Sequence, residues 1–326
     1  MADVHRLRVT EVVDETADAK SFVLEGGGFT PRPGQFLTVR IGTAARCYSL
    51  SSAPHEPLKI TVKRTPDGYG SHWLCDNAVV GTELDVLGPV GVFTPASLDE
   101  DLVAFAAGSG ITPVMSIIRS VLSGGTGRVT LVYANRDEQS VIFARELAGL
   151  TAAHPDRLVV VHWLESVQGL PAVPQLAALA RPCAEAFVCG PAPFMEAAKA
   201  ALLQAGVRRV HIERFASLSS NPFEQAVAAV ATEDGPDATV EVELDGEHHR
   251  FPWPARTRLL DLLLDQGLDA PFSCREGACS ACACRLVGGE VKMLNNDVLD
   301  EQDLADGYIL ACQAVPVTDE VKVTYT

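Results

Sequence analysis

From Leu7 to Phe93 the apolar residues gather into short β-rich runs: Leu7 to Val13, Ser21 to Leu24, Phe36 to Ile41, Cys47 to Leu50, Leu58 to Lys63 and Glu83 to Leu87. Turn formers separate them, among them Gly26-Gly27-Gly28, Pro33-Gly34, Pro54 and Asp67-Gly68. Six short strands predict an antiparallel β-barrel over residues 1–97, with a single helix between Ser71 and Asn77. At Leu98 the pattern changes. Apolar runs Leu102 to Ala107, Val129 to Tyr133, Leu158 to Trp163 and Ala186 to Cys189 alternate with helical stretches Pro113 to Leu122, Ser140 to Leu150, Val173 to Ala180 and Pro191 to Ala205. This alternation predicts an α/β domain over residues 98–216, a parallel sheet covered on both faces, the form expected of a nucleotide-binding domain. Residues 217–237, rich in Ser, Asn, Pro and Gly, read as a linker. Two alternating strands, Val240 to Leu244 and His248 to Trp253, and a helix, Leu259 to Gln266, then open an α+β domain over residues 238–326.

Composition agrees with a folded multidomain chain. A length of 326 residues exceeds what one core supports, and 47% hydrophobic with 21% charged residues is too apolar for disorder. The N-terminus, Met1 to Arg6, opens with charges rather than an apolar signal core, so a cytoplasmic protein is expected. The uncharged stretch Leu102 to Ile118 is broken by Gly108, Ser109, Gly110, Thr112 and Pro113, and reads as strand, turn and helix rather than a membrane span. A net charge of -16 argues against nucleic acid, whose phosphates need Lys and Arg. From Asp237 onward stand 17 acidic and 7 basic residues, so a net -10 lies on the smallest domain, a surface suited to a protein partner. Nine cysteines, an odd number without an export signal, speak against a disulfide framework, and five fall in the last 53 residues.

Those cysteines carry the strongest chemical signal. Cys274, Cys279 and Cys282 stand in C-x4-C-x2-C spacing, and Cys312 follows after 29 residues, the plant-type ferredoxin arrangement that holds a [2Fe-2S] cluster. Gly277, Ala278, Ser280 and Ala281 are small enough to let backbone N–H groups approach the sulfurs. A zinc site would present paired CxxC elements, and no second pair exists. Cys284 reads as a buried core thiol, and His248-His249, adjacent on a strand, point to opposite faces.

Two strand-to-helix turns suggest phosphate binding. Gly108 and Gly110, with Thr112 and Pro113, allow a tight turn with free N–H groups at a helix start, though many such turns need glycine for sterics alone. Cys189-Gly190-Pro191 occupies an equivalent place, so the two turns are expected to converge at the carboxyl edge of the sheet. On a barrel strand, Arg46, Tyr48 and Ser49 could serve a flavin's phosphate, ring face and reactive nitrogen, although an aromatic and an arginine there also suit cross-strand packing. The motif gains meaning from its neighbours.

Arg46-x-Tyr48-Ser49, Gly68-Tyr69-Gly70-Ser71, Gly108 to Pro113 and Cys189-Gly190-Pro191 occur in the order seen in the ferredoxin-NADP reductase superfamily. With its C-terminal cysteine motif, the whole chain resembles the flavin and iron–sulfur reductase components of bacterial multicomponent oxygenases. Within that group the resemblance is greatest to reductases of 3-ketosteroid 9α-hydroxylases, through stretches such as Val161 to Ser166 and Asp269 to Gly277. The resemblance implies an FAD-binding barrel, an NAD(P)-binding domain and a β-grasp ferredoxin domain. It implies that Arg46, Tyr48 and Ser49 hold the flavin, that Lys63, Gly70 and Ser71 lie along its phosphates, and that Phe215 shields the ring with Glu213 beside it. Ser49, Cys189 and Phe215 would then flank hydride transfer. Relatives often carry Gly-His-Cys-Gly-Ala-Cys at the cluster, whereas Ser280 stands here between two ligands.

The expected function is electron transfer from NADH or NADPH through the flavin to the cluster and on to a terminal oxygenase docking at the acidic domain. The acidic run Asp297, Asp300, Glu301, Asp303 and Asp306 precedes Cys312 and is expected to border that outlet, although such runs also serve solubility alone. Hydride transfer needs no general acid or base, which fits the absence of a catalytic triad in the sequence. Two alternatives share the motifs: a reductase of another oxygenase (a phenylacetyl-CoA epoxidase or an aromatic-ring hydroxylase), and a redox-sensing module that turns over nothing. Asn135-Arg136 follows the second strand of the α/β domain, where an arginine could meet a 2′-phosphate.

Overall fold

The computed structural model describes residues 4–218, 221–224 and 237–325, so most of the expected linker lies outside the described residues. The first domain contains β1 (His5–Thr16), β2 (Ala19–Glu25), β3 (Phe36–Ile41), β4 (Ala44–Ser49), β5 (Leu58–Lys63), α1 (Tyr69–Asn77) and β6 (Glu83–Val90). Its antiparallel order is β4-β3-β6-β1-β2-β5, and a bridge from Leu50 to Ile60 brings the two edge strands together, closing a barrel. Strand β4 starts three residues before the predicted run, because a tight Gly42-Thr43 turn, with Gly42 at φ 59°, pairs Ala44 directly with Ile41.

The second domain contains β7 (Leu102–Ala107), α2 (Ile111–Gly124), β8 (Val129–Asn135), α3 (Ala144–Ala153), β9 (Leu158–Leu164), α4 (Glu165–Gln168), α5 (Val173–Leu179), β10 (Glu185–Cys189), α6 (Ala192–Gln204) and β11 (Arg209–Glu213). All pairings are parallel, in the order β11-β10-β7-β8-β9. Every residue of β7 is buried, as a central strand covered on both faces requires. The strand order reverses between β7 and β10, so the crevice at their carboxyl ends is the topological switch point where such sheets bind ligands. Helix α3 begins four residues later than expected. Asp137 and Ser140 form a capping box on a short 3-10 turn, and buried Phe143 takes φ 61°, which stops the turn from continuing into α3.

The third domain contains β12 (Ala238–Leu244), β13 (Glu247–Trp253), α7 (Leu259–Asp265), β14 (Ala283–Gly288), β15 (Val291–Met293), α8 (Glu301–Ala305), β16 (Tyr308–Leu310), β17 (Ala314–Pro316) and β18 (Glu320–Thr324). Its mixed sheet runs β13-β12-β18-β14-β16, with β12 and β18 parallel, and α7 buries Leu259, Leu260, Leu262 and Leu263 against it. Cys284 is buried in this core. Among the described residues, no helix is long and apolar enough to cross a membrane.

The domains are joined differently. Between barrel and α/β domain, Ser116 on α2 donates to the Ser52 carbonyl at 2.7 Å, Arg119 bridges Glu56 and Glu146, and Lys59 reaches Glu146 at 3.1 Å. The third domain meets the second through Lys199–Asp300 at 2.5 Å and Arg209–Asp306 at 3.3 Å. It meets the barrel through a 2.6 Å hydrogen bond between Thr38 on β3 and Ser273.

Candidate functional site

The loop from Cys274 to Cys282 is shaped by left-handed residues: Arg275 at φ 57°, Gly277 at φ 84° and Ser280 at φ 53°. These turns direct successive N–H groups toward the cysteine sulfurs, as in an anion-binding nest. Cys274 Sγ accepts from the backbone of Glu276 at 3.3 Å and Ala278 at 3.4 Å. Cys279 Sγ accepts from Cys274 N at 3.3 Å, Cys282 Sγ from Cys312 N at 3.4 Å, and Cys312 Sγ from the Gln313 side-chain amide at 3.5 Å. Each of the four sulfurs thus receives at least one N–H, an environment suited to thiolates. The neighbouring thiols Cys279 and Cys312, with those backbone groups, drive Cys274 far below the ordinary thiol range, while Cys279 and Cys312 are pushed up.

The donor set fits a two-iron cluster. Four cysteine sulfurs in this spacing, each meeting at least one N–H, make a soft, anion-stabilising ligand set of the kind that holds such a cluster. Ser280 Oγ is buried without a protein partner, a hydroxyl available to an acceptor such as a cluster sulfide. The left-handed backbone at Ser280 is also the reason a glycine would suit this place.

A narrow cleft joins all three domains. It is lined by Phe36, Cys47 and Ser49 of the barrel, Glu213 at the end of β11 with the following residues to Ala216, and Ala278 and Cys279 of the cysteine loop. Ser49 is buried at the end of β4, whereas Phe215 is 52% exposed. Elsewhere on the barrel, Arg46, Tyr48 and Gly70 converge: a Cβ at Gly70 would stand 2.8 Å from Arg46 Cγ and 3.1 Å from the Tyr48 hydroxyl. Ser71 is buried and donates to the Gly68 carbonyl at 3.0 Å.

Glu213 is buried, and burial pushes its carboxyl up to about 8, opposed only by Arg214; the Cys47 and Cys189 thiols nearby are themselves held neutral by burial. Between its ordinary 4.5 and about 8, the folded chain holds a proton the unfolded chain has lost, so stability falls as pH rises through that window. Glu213→Gln is expected to remove this part of the fall. Denaturation midpoints from about pH 5 to about pH 9 measure it. Parallel profiles for both proteins would refute the buried neutral acid.

The two glycine turns meet at the switch point. A Cβ at Gly110 would overlap the Cys189 carbonyl oxygen and lie 2.7 Å from the Gly190 nitrogen, and one at Gly190 would lie 2.9 Å from Ala107 Cβ. Thr112 donates to the Ser109 carbonyl at 3.0 Å beside Pro113 at the start of α2. Lys63 Nζ would stand 3.7 Å from a Cβ on Gly108, so this lysine reaches across to the α/β domain. Pro191 precedes α6. Arg136 pairs with Asp18 at 3.2 Å.

The acidic run before Cys312 is divided between inward and outward positions: Asp297 and Glu301 are exposed, while the other three are engaged. Asp300 and Asp306 pair with Lys199 and Arg209 of the second domain, and Asp303 caps α8 with Asp300. Sequence reasoning also missed Thr38, Ser273 and Gln313, whose partners come from distant segments.

Two family models match: the 2Fe-2S iron-sulfur cluster binding domain over residues 242–317 and the oxidoreductase NAD-binding domain over residues 105–200. Together with the fold, they define an oxygenase reductase component with nucleotide-binding and iron–sulfur domains. The chain belongs to the family of 3-ketosteroid-9-alpha-monooxygenase ferredoxin reductase components, being 56% identical to the member from Rhodococcus rhodochrous over 98% of this chain and 96% of that one. It is 32% identical to a component of the 1,2-phenylacetyl-CoA epoxidase of Escherichia coli (strain K12), covering 100% of this chain and 98% of that one. Phthalate dioxygenase reductase shares its fold, with a TM-score of 0.59 and 24% identity over 98% of both chains.

Proposed function

We propose that this chain carries electrons from NADH or NADPH, through FAD and a [2Fe-2S] cluster, to the terminal oxygenase of a 3-ketosteroid 9α-hydroxylase. The observation that carries the reading is the cleft where Ser49, Glu213, Phe215 and Cys279 meet, drawn from all three functional parts of the chain. A flavin bound beside it would supply the conversion of a two-electron hydride into single electrons. Arg46, Tyr48, Lys63, Gly70 and Ser71 hold the FAD; Ser49 orients its ring, Phe215 covers it and Glu213 keeps a proton nearby. Gly108, Gly110, Thr112 and Pro113, with Cys189, Gly190 and Pro191, receive the dinucleotide. Cys274, Cys279, Cys282 and Cys312 hold the cluster. The oxygenase docks at the C-terminal domain, whose net -10 supports steered encounter. The chain works in the cytoplasm. The 56% identity over nearly the whole chain supports the steroid assignment over the epoxidase one.

The test pairs the purified holoprotein with the oxygenase component of either system. Steady NAD(P)H-dependent 9α-hydroxylation of a 3-ketosteroid is the expected result, with FAD as the flavin released by acid. Turnover confined to the epoxidase would reject the steroid assignment. A single stoichiometric reduction with any acceptor would favour a sensor.

A further inference from the structure

We propose that Gln313 is the positioning residue that sets the reduction potential of the cluster. The inference rests on the reading that Cys274, Cys279, Cys282 and Cys312 are its ligands. The N–H groups that reach the sulfurs of Cys274, Cys279 and Cys282 belong to the backbone, whereas the donor to Cys312 is the Gln313 carboxamide. Among the described residues it is the side-chain donor to a ligand sulfur, so a substitution there can remove a cysteine's hydrogen bond outright.

The same nitrogen has a second task. Gln313 Nε2 donates to the Arg275 carbonyl at 2.9 Å as well as to Cys312 Sγ at 3.5 Å, so both of its hydrogens have partners. In a trans peptide the C=O and N–H point in opposite directions. Holding the Arg275 carbonyl outward therefore aims the following N–H, that of Glu276, at Cys274 Sγ. Neighbouring peptides are held likewise: Asn295 Nδ2 donates to the Glu276 carbonyl at 2.7 Å, and Asp297 N to the Gly277 carbonyl at 3.0 Å. Gln313 thus controls one N–H···S bond directly and a second through the Arg275–Glu276 peptide, joining the ligand loop to the segment that bears Cys312.

The side chain is built into the site. Gln313 is 4% exposed, its own backbone is tied to Leu310 and Leu294, and a Cβ on Gly277 would stand 3.2 Å from its Cγ. Glycine at 277, with φ 84°, leaves room for the amide to cross the loop. Hydrogen bonds to cluster sulfurs stabilise the reduced, more negative state, so losing them moves the potential downward.

The experiment uses the holoprotein with Gln313→Leu, which removes both donors, and Gln313→Glu, which keeps the shape and replaces the donor nitrogen by oxygen. Spectroelectrochemical titration of the cluster bands, with electron paramagnetic resonance of the reduced protein, gives the midpoint. The expected result is an approximately tenfold weaker reduction equilibrium, about 59 mV more negative for a one-electron couple, with an unchanged flavin midpoint. Wild-type potential in either iron-replete variant would overturn the proposal. Loss of the cluster from both variants would also overturn it, by making Gln313 an assembly residue. A wild-type protein without iron–sulfur bands would instead reject the ligand reading itself.

Discussion

Cys312→Ser is expected to abolish electron delivery while leaving hydride entry intact. Cys312 stands on the β16–β17 turn, the fourth sulfur of the set and distant in sequence from the three on the loop, so its loss takes away the ligand that this turn contributes. A serine hydroxyl is a harder and far weaker acid than a thiol, and cluster affinity depends on deprotonated ligands. None of the four cysteines lies in the barrel or the α/β domain; Cys274 and Cys279 pack against barrel Phe36 and Ala45, whereas Cys312 belongs to the core of the third domain. The iron–sulfur absorption should disappear. Cytochrome reduction should fall by about 100-fold or more, the scale on which lost metal-site partners act. NAD(P)H-to-ferricyanide turnover should stay within about twofold, because the proposed hydride entry uses the other two domains. Full cytochrome reduction by an iron-free variant would show that electrons leave by another route.

Gly110→Val should produce the opposite split. Gly110 has φ -61°, so any residue could adopt its backbone; what it lacks is space. The atoms a side chain would strike are the carbonyl oxygen of Cys189 and the nitrogen of Gly190, and backbone cannot swing aside as a flexible side chain can. The two turns at the switch point would be forced apart. Displacement of a bound reactant by about 1 Å can cost on the order of 100-fold in rate, so the anaerobic reduction of the flavin by NAD(P)H should slow by about that factor. Flavin and cluster spectra should persist. Gly149→Ala is the matched control: it lies in α3 with nothing within 4 Å of its Cβ and should leave the rate unchanged. An unaltered reductive rate in the Val variant would remove these turns from the nucleotide site.

Elements with strong local patterns were legible in the sequence. Phe36–Ile41, Leu58–Lys63 and Leu102–Ala107 form strands with the bounds their apolar runs predict, because each is bounded by turn formers or charge and buried on at least one face. Strands β15, β16 and β17 escape such a reading, since three residues carry no measurable alternation. Strand β11 escapes it because all but its last residue is half-buried, which blurs the pattern. The cysteine ligand set is readable because its spacing is short and chemically specific. Gln313 is not, since its partner Arg275 lies 38 residues away, and the Thr38–Ser273 bond spans 235 residues. Nor could the acidic run reveal its partners: Lys199 and Arg209 reach Asp300 and Asp306 only once α6 and β11 have packed.

The Thr38–Ser273 bond also has a bearing on kinetic order. It ties the residue before Cys274 to a barrel strand of the same polypeptide, so a flavin held in the barrel as proposed would meet the cluster at an effective concentration set by the fold rather than by expression level. Passage of an electron between them is then a first-order event, indifferent to dilution. Only the encounters at either end, with nicotinamide dinucleotide and with the oxygenase, retain a dependence on concentration.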